Sequence, residues 1–487
     1  MMENDGFKSL IYAVRLPVLM RIGGKLAVVV AVLCLPSVAA ALWFAEYRYV
    51  APFALLIALL LAVAWLTRKL PVPRHLQRSE GLVVSCGAFI LTPLLLSVAL
   101  WPSQIPWVDR WFETVSAVTT TGLSTLPRVS TLDKTVLFTR AWMQWYGGLG
   151  IVVLSVTLLM QRSLAAFQLL EVPEGQGFVS AATVYARRVL QVYAVLTALS
   201  VLIAWLCLGD FFSGLVHGLS AISTGGFSSR DDSLSSLSLA AQCAMMLPCV
   251  LGALSLAIYL RLGQRAWRSV YENQELRHFL CWLLAFCLVL VLLQGQHSGF
   301  SFEVAVSTAV LGISALTTTG FANQDLAAAI PALQWVLMMA MFLGGCLGST
   351  AGGFKVFRLL VFWQLLLNTL RRASASPHAV IEPRIQGKVL TQEQIQVAML
   401  TGSLLVVLIA LSWIPFLLYG VEPLNALFEV VSAVGTVGLS TGVTRQDMPP
   451  LLKVVLCIDM TAGRVEVLAL LCLCYPGVWL GHRNTNA

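Results

Sequence analysis

The chain has 487 residues, of which 58% are hydrophobic and only 11% are charged, with a net charge of +8. Soluble proteins average about 45–50% apolar and about 25% charged residues. A soluble chain of this size could not cover its surface with so few charged residues. The composition therefore excludes disordered, coiled-coil, secreted disulfide-rich and cytosolic enzyme classes, and it predicts a polytopic membrane protein.

Ten apolar runs are long enough, or nearly long enough, to cross a bilayer, which takes about 17–25 residues of helix. They lie at about 26–45, 50–67, 82–100, 136–160, 189–208, 239–261, 279–294, 332–350, 396–419 and 465–481. Four shorter runs lie near 107–118, 211–221, 302–315 and 423–433. A short helix is stable at membrane depth only where protein or a wet cavity surrounds it, so we predict four re-entrant helices.

The first run follows Arg15, Arg21 and Lys25 and resembles a signal peptide. It is long enough to span and a second run follows at once, so we predict an uncleaved transmembrane helix. With a cytoplasmic N-terminus and re-entrant short runs, 22 Lys and Arg residues fall inside, 8 fall outside, and Arg464 is left over. This bias supports both the orientation and the re-entrant loops.

One nine-residue pattern, S-A-x-x-T-x-G-[LF]-[SA], follows each of the four short runs. Its copies begin at Ser116, Ser220, Ser314 and Ser432, and each places a glycine six residues later, at Gly122, Gly226, Gly320 and Gly438. Four copies of span, short helix, loop and span predict a pseudo-fourfold ring of repeats. Small-residue helix packing would explain a single copy, but it does not explain four copies with the same spacing.

The chemistry of this pattern suits a dehydrated monovalent cation. Backbone carbonyls replace the water of an ion when consecutive residues face one axis. Such a backbone passes through positive φ, which glycine adopts without penalty, and threonine hydroxyls supply further oxygens. The pattern holds no carboxylate, whose charge would favour divalent ions. Its fourth copy contains Thr436-Val437-Gly438, the T-V-G core of a potassium-channel filter.

The segment 344–353 contains too many glycines for a stable helix, because each glycine costs about 1 kcal/mol relative to alanine. A break at this place in a predicted span would make a movable constriction below the filter. Tight helix packing through the GxxxG spacings of Gly344, Gly348 and Gly352 is an open alternative. A phosphate-binding P-loop is excluded, because Phe354 precedes Lys355 and no Ser or Thr follows.

Arg464 lies in an apolar context, where a charge needs a cavity or a partner. Asp459 and Glu466 are nearby carboxylates, so a structural ion pair is one explanation of this arginine. A place in the pore is the other explanation, and we favour it.

These motifs together resemble the TrkH/TrkG/KtrB superfamily of potassium transporters, and most closely its TrkH branch. The resemblance covers nearly the whole chain and includes the segments 344–355 and 459–466. It implies an all-α polytopic membrane protein with about ten transmembrane helices and four re-entrant pore helices. Four M1–pore helix–M2 repeats would surround one pore. The expected domains are an N-terminal helix pair at 1–78 and repeats at 79–175, 176–272, 273–390 and 391–487.

The resemblance also implies site residues. The K+-binding filter would comprise Thr120, Thr121, Gly122, Thr224, Gly225, Gly226, Thr318, Thr319, Gly320, Thr436, Val437 and Gly438. The gate would comprise Gly344, Gly345, Gly348, Ser349, Thr350, Gly352, Gly353, Lys355 and Arg464. Arg464 would lie just below the filter and repel cations when the gate is shut. The implied activity is K+ uptake across the bacterial inner membrane.

The implied partners are a second copy of the chain and a cytosolic nucleotide-binding regulatory subunit of the TrkA type. The basic segments 261–277 and 371–388 are candidate docking surfaces, and contact with anionic lipid explains them equally well. No nucleic acid partner and no cofactor are expected, and K+ at the filter is the only metal expected. The eleven cysteines lie almost wholly in apolar runs and form no C-x-x-C, so no disulfide is predicted.

Two other functions deserve comparison. A Na+-dependent KtrB-like transporter, or a weakly selective K+/Na+ pathway, is the alternative, because all four filter copies share only one glycine. An intramembrane enzyme would have to use Asp231, Asp232 and His217. These residues form no recurring catalytic constellation, so no enzyme activity is predicted.

Overall fold

The structure is a computed structural model that describes residues 13–71, 77–160, 178–376 and 381–480. Four basic residues of the orientation count, Lys8, Arg74, Arg162 and Arg483, lie outside the described residues. Two helices, α1 (Leu16–Trp43) and α2 (Val50–Thr67), pack against each other at the start of the described chain. Four copies of one helix order follow them.

Each copy has a long first helix (M1), a short helix (the pore helix) and a second helix (M2). The first copy is α3 (Arg78–Ala99), α4 (Trp107–Val118) and α5 (Lys134–Met160). The second is α6 (Phe178–Leu208), α7 (Phe211–Ile222) and the pair α8 (Leu239–Ala253) and α9 (Leu256–Gly263), with α10 (Trp267–Tyr271) after it. The third is α11 (Gln274–Ser298), α12 (Phe302–Leu316) and the pair α13 (Pro331–Leu343) and α14 (Val356–Ala373). The fourth is α15 (Gln392–Leu418), α16 (Pro423–Val434) and α17 (Pro450–Val465), continued by α18 (Val467–Cys474) and α19 (Pro476–Leu480).

The predicted all-α polytopic fold is confirmed. Six helices in the described part of the chain are long and apolar enough to cross a membrane, and the bent pair α8–α9 makes a seventh if it counts as one span. The strands of the described chain are β1 (Arg384–Ile385) and β2 (Lys388–Val389), an antiparallel hairpin in which Arg384 pairs with Val389. This hairpin follows α14 in the second predicted basic segment.

Three of the four pore helices begin at side-chain caps, on a face of the molecule that we call the outer face. The side chains of Asp210, Ser301 and Glu422 accept hydrogen bonds from backbone N–H groups in the first turns of α7, α12 and α16. Such caps satisfy donors that have no partner inside a helix. The bond from the Ser213 N–H holds the pKa of Asp210 below its ordinary value. These three pore helices therefore start at polar caps and point their carboxyl ends into the protein.

The predicted M2 spans differ from the observed ones in three repeats. The run 239–261 is bent by 89° between α8 and α9. The run 332–350 ends as a helix at Leu343, and the chain becomes helical again only at Val356. The predicted span 465–481 is wrong in its bounds, because the helix begins at Pro450 and is interrupted at Glu466. The three helices end at Ala253, Leu343 and Val465, and each end follows the filter segment of the same repeat along the chain.

The sequence predicts the start of the fourth M2 about 15 residues after its true start, at Pro450, and this error has a physical cause. Lys453, Asp459 and Arg464 lower the apolarity of 450–464, although all three side chains are buried. Lys453 Nζ lies 2.5 Å from an Asp109 carboxylate oxygen, and the Ser412 hydroxyl donates to Asp459 at 2.6 Å. Contacts with distant residues therefore stabilise these buried polar side chains, although the side chains lower the mean hydropathy of the segment.

The pair Asp109–Lys453 joins the first pore helix to the fourth M2 and is buried on both sides. Removal of one partner of a buried ion pair typically costs about 3–5 kcal/mol, because the other charge stays buried alone. We therefore expect Lys453→Met to lower the thermal unfolding midpoint of the detergent-solubilised protein markedly. The double variant Lys453→Met/Asp109→Leu should recover most of the loss, because no lone charge remains. Arg268→Gln, which breaks the exposed pair with Glu272, is the matched control and should leave the midpoint unchanged. An unchanged midpoint in the single variant would contradict this role.

Candidate ion pore

All four pore helices end in the same hydrogen-bonded turn. In the first copy, Thr120 N–H donates to the Ala117 carbonyl at 3.0 Å and Thr121 N–H donates to the Ser116 carbonyl at 2.9 Å. The same two bonds recur in the other copies, at 3.0 and 2.9 Å (residues 220–225), 3.1 and 3.0 Å (314–319), and 3.0 and 2.9 Å (432–437). This pattern closes a helix on a left-handed residue. It explains why the serine and alanine of the repeated pattern come at fixed distances from the threonine.

The left-handed residue of this turn is a threonine in every copy. The φ angles are 55° at Thr120, 52° at Thr224, 54° at Thr318 and 49° at Thr436. The glycines two residues later also have positive φ, between 74° and 96°, and the residue between them does not. A β-branched residue in this conformation costs about 1–3 kcal/mol and persists mainly where function requires it. The backbone therefore alternates in hand through the filter, as the glycines predicted.

The four filter glycines close a ring. A methyl group built on Gly122 would overlap the Gly225 carbonyl oxygen, and one on Gly226 would overlap the Thr319 carbonyl oxygen. One on Gly320 would overlap the Val437 oxygen, and one on Gly438 would overlap the Thr121 oxygen. Each repeat thus packs a glycine against the carbonyl of the next repeat, and the fourth returns to the first. The four predicted filter segments therefore lie together around one axis.

The serine at the last position of the repeated pattern donates a hydrogen bond to a pore-helix carboxylate in the first and fourth repeats. Glu113 of α4 accepts hydrogen bonds from Ser124 Oγ at 2.7 Å and Thr125 N–H at 2.9 Å. Glu429 of α16 accepts from Ser440 Oγ at 2.6 Å and Thr441 N–H at 2.8 Å. These carboxylates hold the outgoing filter strand to its own pore helix, so they do not face the ion path.

The second and third repeats use other side chains at these places. His217 Nδ1 donates to the Ser213 carbonyl at 2.8 Å, and Nε2 lies 3.0 Å from Ser228 Oγ. In the third repeat the two positions are Leu311 and Ala322. The contacts of His217 therefore give it a structural role in the second repeat.

Sequence reasoning missed Gln144 of α5, which braces the second filter. Its Nε2 donates to the Gly225 carbonyl at 2.5 Å, its Oε1 accepts from Phe227 N–H at 3.3 Å, and the Ser220 hydroxyl also donates to Oε1. Gln144 is fully buried. A buried glutamine in an apolar span was the available signal, but its filter partners lie about 80 residues away and could not be assigned.

A second recurring glycine was also missed. It lies in M2, 25 or 26 residues after each filter glycine, at Gly147, Gly252, Gly345 and Gly463. A methyl group on three of them would overlap the carbonyl oxygen of the last pore-helix turn, at Val118, Ile222 and Val434. These glycines let M2 approach the pore helix closely. The third repeat is different, because its M2 becomes non-helical at this point.

The predicted gating segment 344–355 is a loop in the structure, directly under the filter. Gly352 N–H donates to the Thr318 hydroxyl at 2.7 Å, and the Thr224 hydroxyl donates to Thr350 Oγ1 at 3.3 Å. A methyl group on Gly352 would overlap the Thr436 hydroxyl and the Gly435 carbonyl. The loop thus touches the left-handed threonine of three repeats, so helix packing through GxxxG does not describe this segment.

The bend in the second M2 supplies the partners of this loop. Helix α8 ends at Ala253, so the carbonyls of Gly252 and Ala253 accept from Thr350 N–H at 3.2 Å and Cys346 N–H at 3.0 Å. In return, Leu256 N–H at the start of α9 donates to the Gly348 carbonyl at 3.1 Å. Non-helical backbone is tolerated at membrane depth only when its polar groups are satisfied. The two interrupted helices satisfy each other.

Arg464 contacts the loop and not the carboxylates considered for it. Its guanidinium donates to the Thr350 carbonyl at 2.7 Å and to the Gly147 carbonyl at 3.4 Å. Glu466 instead pairs with Arg358 of α14. A small cavity of about 30 Å³, lined by Arg464, Lys355, Arg358 and Glu466 among others, lies beside the loop. A cavity of this size holds about one or two water molecules. Three cationic side chains therefore surround the space next to the loop.

The residues of the enzyme hypothesis do not assemble. Asp231 accepts from Ser130 N–H at 2.9 Å and from the Ser130 hydroxyl, on the outer loop of the first repeat. Burial raises the pKa of Asp231, but these bonds outweigh it and keep the pKa below its ordinary value. His217 is committed to Ser213 and Ser228. Within the described residues, no three His, Cys, Asp or Glu side chains could hold a metal together.

Comparison with known protein families gives a match over most of the chain. The model of the TrkH family, described as cation transport protein, matches residues 53–475. The chain belongs to the TrkH family. The predicted resemblance is confirmed, and the family is one of cation transporters and not of enzymes.

Relatives of this TrkH family member are similar along most of their length. TrkH of Escherichia coli K12, a Trk system potassium uptake protein, is 26% identical over 425 residues, which are 83% of this chain and 88% of that protein. TrkI of Halomonas elongata is 28% identical over 449 residues, 88% of this chain and 90% of that protein. The crystal structure of the potassium transporter TrkH from Vibrio parahaemolyticus matches with a TM-score of 0.83 at 25% identity. That match covers 96% of this chain and 100% of the other.

The ring of glycines predicts a sharp difference between two alanine substitutions. Gly226 (φ 74°) and Gly209 (φ 73°) have the same left-handed backbone, but only Gly226 has a neighbour where a methyl group would lie. Both alanines cost about 1–2 kcal/mol of backbone strain. We expect Gly226→Ala to abolish ion uptake into proteoliposomes and Gly209→Ala to retain most of it. Equal uptake by the two variants, at equal reconstitution, would show that the ring contact is not needed.

Removal of the Gln144 side-chain amide should disturb the second filter alone. In Gln144→Leu, the Ser220 hydroxyl and the Phe227 N–H would lose their buried partner, at about 1–3 kcal/mol for each group. We expect reduced uptake and a lower preference for K+ over Na+ in a flux competition assay. Gln396→Leu on the exposed face of α15 is the control. A Gln144→Leu protein with wild-type ion preference would rule out this bracing role.

Proposed function

We propose that this TrkH family member carries K+ into the cell through the ring of four filter segments. The observation that carries the proposal is the closed contact of each glycine with the next repeat's carbonyl. It brings four alternating backbones to one axis, where carbonyl oxygens replace the hydration shell of an ion. The K+-binding residues proposed are the twelve filter residues named above. The names of the E. coli and V. parahaemolyticus relatives support K+ as the ion.

Two threonine hydroxyls support the assignment of ion ligands. Within the described residues, the buried Oγ1 atoms of Thr120 and Thr436 have no hydrogen-bond partner. Buried polar groups normally find partners, so an unpaired pair at one level of the ring needs an explanation. A bound cation would supply it. The neutral oxygens of the ring, with the carboxylates of Glu113 and Glu429 engaged elsewhere, suit a monovalent ion.

We propose that the described conformation is the closed one. The loop 344–355 lies under the filter, and Arg464 and Lys355 both donate to its carbonyls, at Thr350 and Ala351. A K+ ion leaving the filter would meet this loop and the positive charges beside it. Opening then requires the loop to leave the carbonyls of Gly252 and Ala253, which needs an input from elsewhere.

The remaining expectations complete the proposal. The protein lies in the bacterial inner membrane with a cytoplasmic N-terminus, as the charge bias supports. It forms a homodimer, and a cytosolic TrkA-like nucleotide-binding subunit controls the gate. The chain divides into the N-terminal pair and four repeats at the boundaries predicted above. No cofactor takes part besides the transported ion.

One observation favours a weakly selective K+/Na+ pathway as the alternative. The Gly225 carbonyl accepts a 2.5 Å hydrogen bond from the Gln144 side chain, so the second repeat holds its filter backbone by a different contact from the other repeats. The ring is therefore not fourfold in these contacts. Competition between Na+, Rb+ and K+ in a liposome flux assay separates the two functions.

Growth of a K+-uptake-deficient bacterium in low K+ tests the proposal. Expression of the chain with a TrkA-like partner should restore growth, and Gly320→Ala, whose methyl would overlap the Val437 carbonyl, should not. Gly387→Ala, at a positive-φ glycine with open space, is the control and should support growth. Failure of the well-expressed wild type would count against K+ uptake.

The positive charge at position 464 provides a second test. One unit charge costs a cation about 2 kcal/mol at about 8 Å in a partly hydrated pore. We therefore expect Arg464→Ala to raise the K+ leak of proteoliposomes without partner by about tenfold or more. Arg464→Lys keeps the charge and should keep the leak low. An unchanged leak in a well-folded alanine variant would remove Arg464 from the gate.

A further inference from the structure

An open cavity of about 720 Å³ lies between the connector that joins the second and third repeats and the β-hairpin. Helix α11 ends beside the outer start of the pore helix α12, so its first residues, which line the cavity, lie at the opposite, inner face. The volume falls within the range of about 300–1,000 Å³ that small-molecule sites have. Neither the filter nor the gate uses this cavity.

The lining of the cavity is strongly basic. Arg261, Arg265 and Arg268 face one carboxylate, Glu272. Arg268 pairs with Glu272 at 2.7 Å, and Arg261 donates to the Ser269 hydroxyl at 3.2 Å. The Arg265 side chain makes no hydrogen bond or ion pair with any described residue. The Arg265 guanidinium, and the Arg261 N–H groups that do not bind Ser269, are therefore available to an anion from solution or from a lipid.

The backbone holds these arginines in place. Arg265 has a φ of 59°, in a turn that ends α9. Its N–H donates to the Leu262 carbonyl at 3.0 Å, and Ala266 N–H donates to the Arg261 carbonyl at 3.0 Å. This closed turn places Arg261 and Arg265 on the cavity wall without a flexible connection. A fixed backbone removes one part of the entropy that would be lost when an anion binds, and the side chains account for the rest.

The rim of the cavity has the aromatic side chains typical of a membrane interface. Trp267 is 65% exposed and Tyr271 is 77% exposed, although both are large and hydrophobic. Tryptophan and tyrosine are enriched where helices meet lipid headgroups. Arg277 also lies over the Tyr271 ring at 4.6 Å. These exposed aromatic side chains next to the cavity support a position at the level of the inner-leaflet phosphates.

We propose that this cavity binds the phosphate of an anionic membrane lipid. Guanidinium groups match phosphate oxygens in geometry and charge, and basic pockets at the cytoplasmic side of helix bundles suit anionic headgroups. The lipid phosphate would lie between Arg261 and Arg265, with the acyl chains along the exposed apolar face of α11, which includes Leu280 and Leu284.

The site is also joined to the gate. Gln274, which lines the cavity, accepts from Gln386 N–H of the hairpin at 3.1 Å. Its neighbour Glu275 accepts from the Leu347 N–H of the gating loop at 2.6 Å. A lipid that fixes the start of α11 thus fixes a hydrogen bond to the loop. Glu275 is a positioning residue in this scheme.

Lipid retention on the full-length protein tests the proposal and does not depend on transport. The protein would be reconstituted in phosphatidylcholine nanodiscs with increasing phosphatidylglycerol, and bound lipid counted by native mass spectrometry. We expect Arg261→Gln/Arg265→Gln to weaken phosphatidylglycerol binding by about tenfold or more. Arg371→Gln/Arg372→Gln, two basic residues of the same face that do not line the cavity, is the matched control. Arg261→Lys/Arg265→Lys should retain part of the binding.

The outcomes separate lipid from soluble anion. Loss of bound lipid in the Arg261/Arg265 variant but not in the control supports the site, and equal retention in both overturns it. Inorganic phosphate added to pure phosphatidylcholine nanodiscs should not protect the wild type against thermal unfolding. Protection by phosphate alone that requires Arg261 and Arg265 would overturn the lipid assignment and show a soluble anion site. A flux of Rb+ that changes with phosphatidylglycerol in wild type, and not in Glu275→Gln, would support the link to the gate.

Discussion

The structure depends on a contact too close for any side chain: the α-carbon of each filter glycine against the carbonyl of the next repeat. Four such contacts make a closed circuit, so no filter segment can be placed correctly unless the other three are. The pore helices, their common terminal turn and the M2 glycines all serve this circuit. The proposed ion path is therefore a property of the assembled ring, because a side chain added to one glycine would displace a carbonyl of another repeat.

The same packing creates a second demand, because non-helical backbone in a membrane must find its hydrogen-bond partners inside the protein. The filter meets it with terminal turns and with the side chains of Glu113, Glu429 and Gln144. The gating loop meets it by pairing with the bent second M2. The 89° bend and the loop are thus two halves of one arrangement. Movement of the loop would leave the Gly252 and Ala253 carbonyls unpaired unless water entered, so the proposed opening requires water to enter the lower pore.

Patterns local in sequence predicted much of this architecture. The four short runs, the glycines at fixed distances from a serine, and the glycine-rich break at 344–353 predicted the short helices, the four segments that meet in a ring, and the loop. What could not be predicted depends on distant partners. The helix from Pro450 was missed because Lys453, Asp459 and Arg464 count as polar until their partners are known. Gln144 and the M2 glycines carry no local signature either, because their contacts lie in a pore helix or filter of distant sequence.

The third repeat shows how a near-symmetric ring can carry one moving part. Its pore helix has Leu311, and the segment after its filter glycine has Ala322, where the other repeats have a hydrogen-bonded pair of side chains. Asn323 takes over, with donors to Ser307 and to Gln242 of the neighbouring repeat at 2.9 Å. In the same repeat, Gly345 packs against Ala351 and Ala253 and not against its own pore helix. Its M2 is thus released from the pore helix that would have kept it helical, and the released segment is the one that reaches under the filter. Under the proposed function, the asymmetry that weakens one repeat's own contacts is the asymmetry that provides the gate.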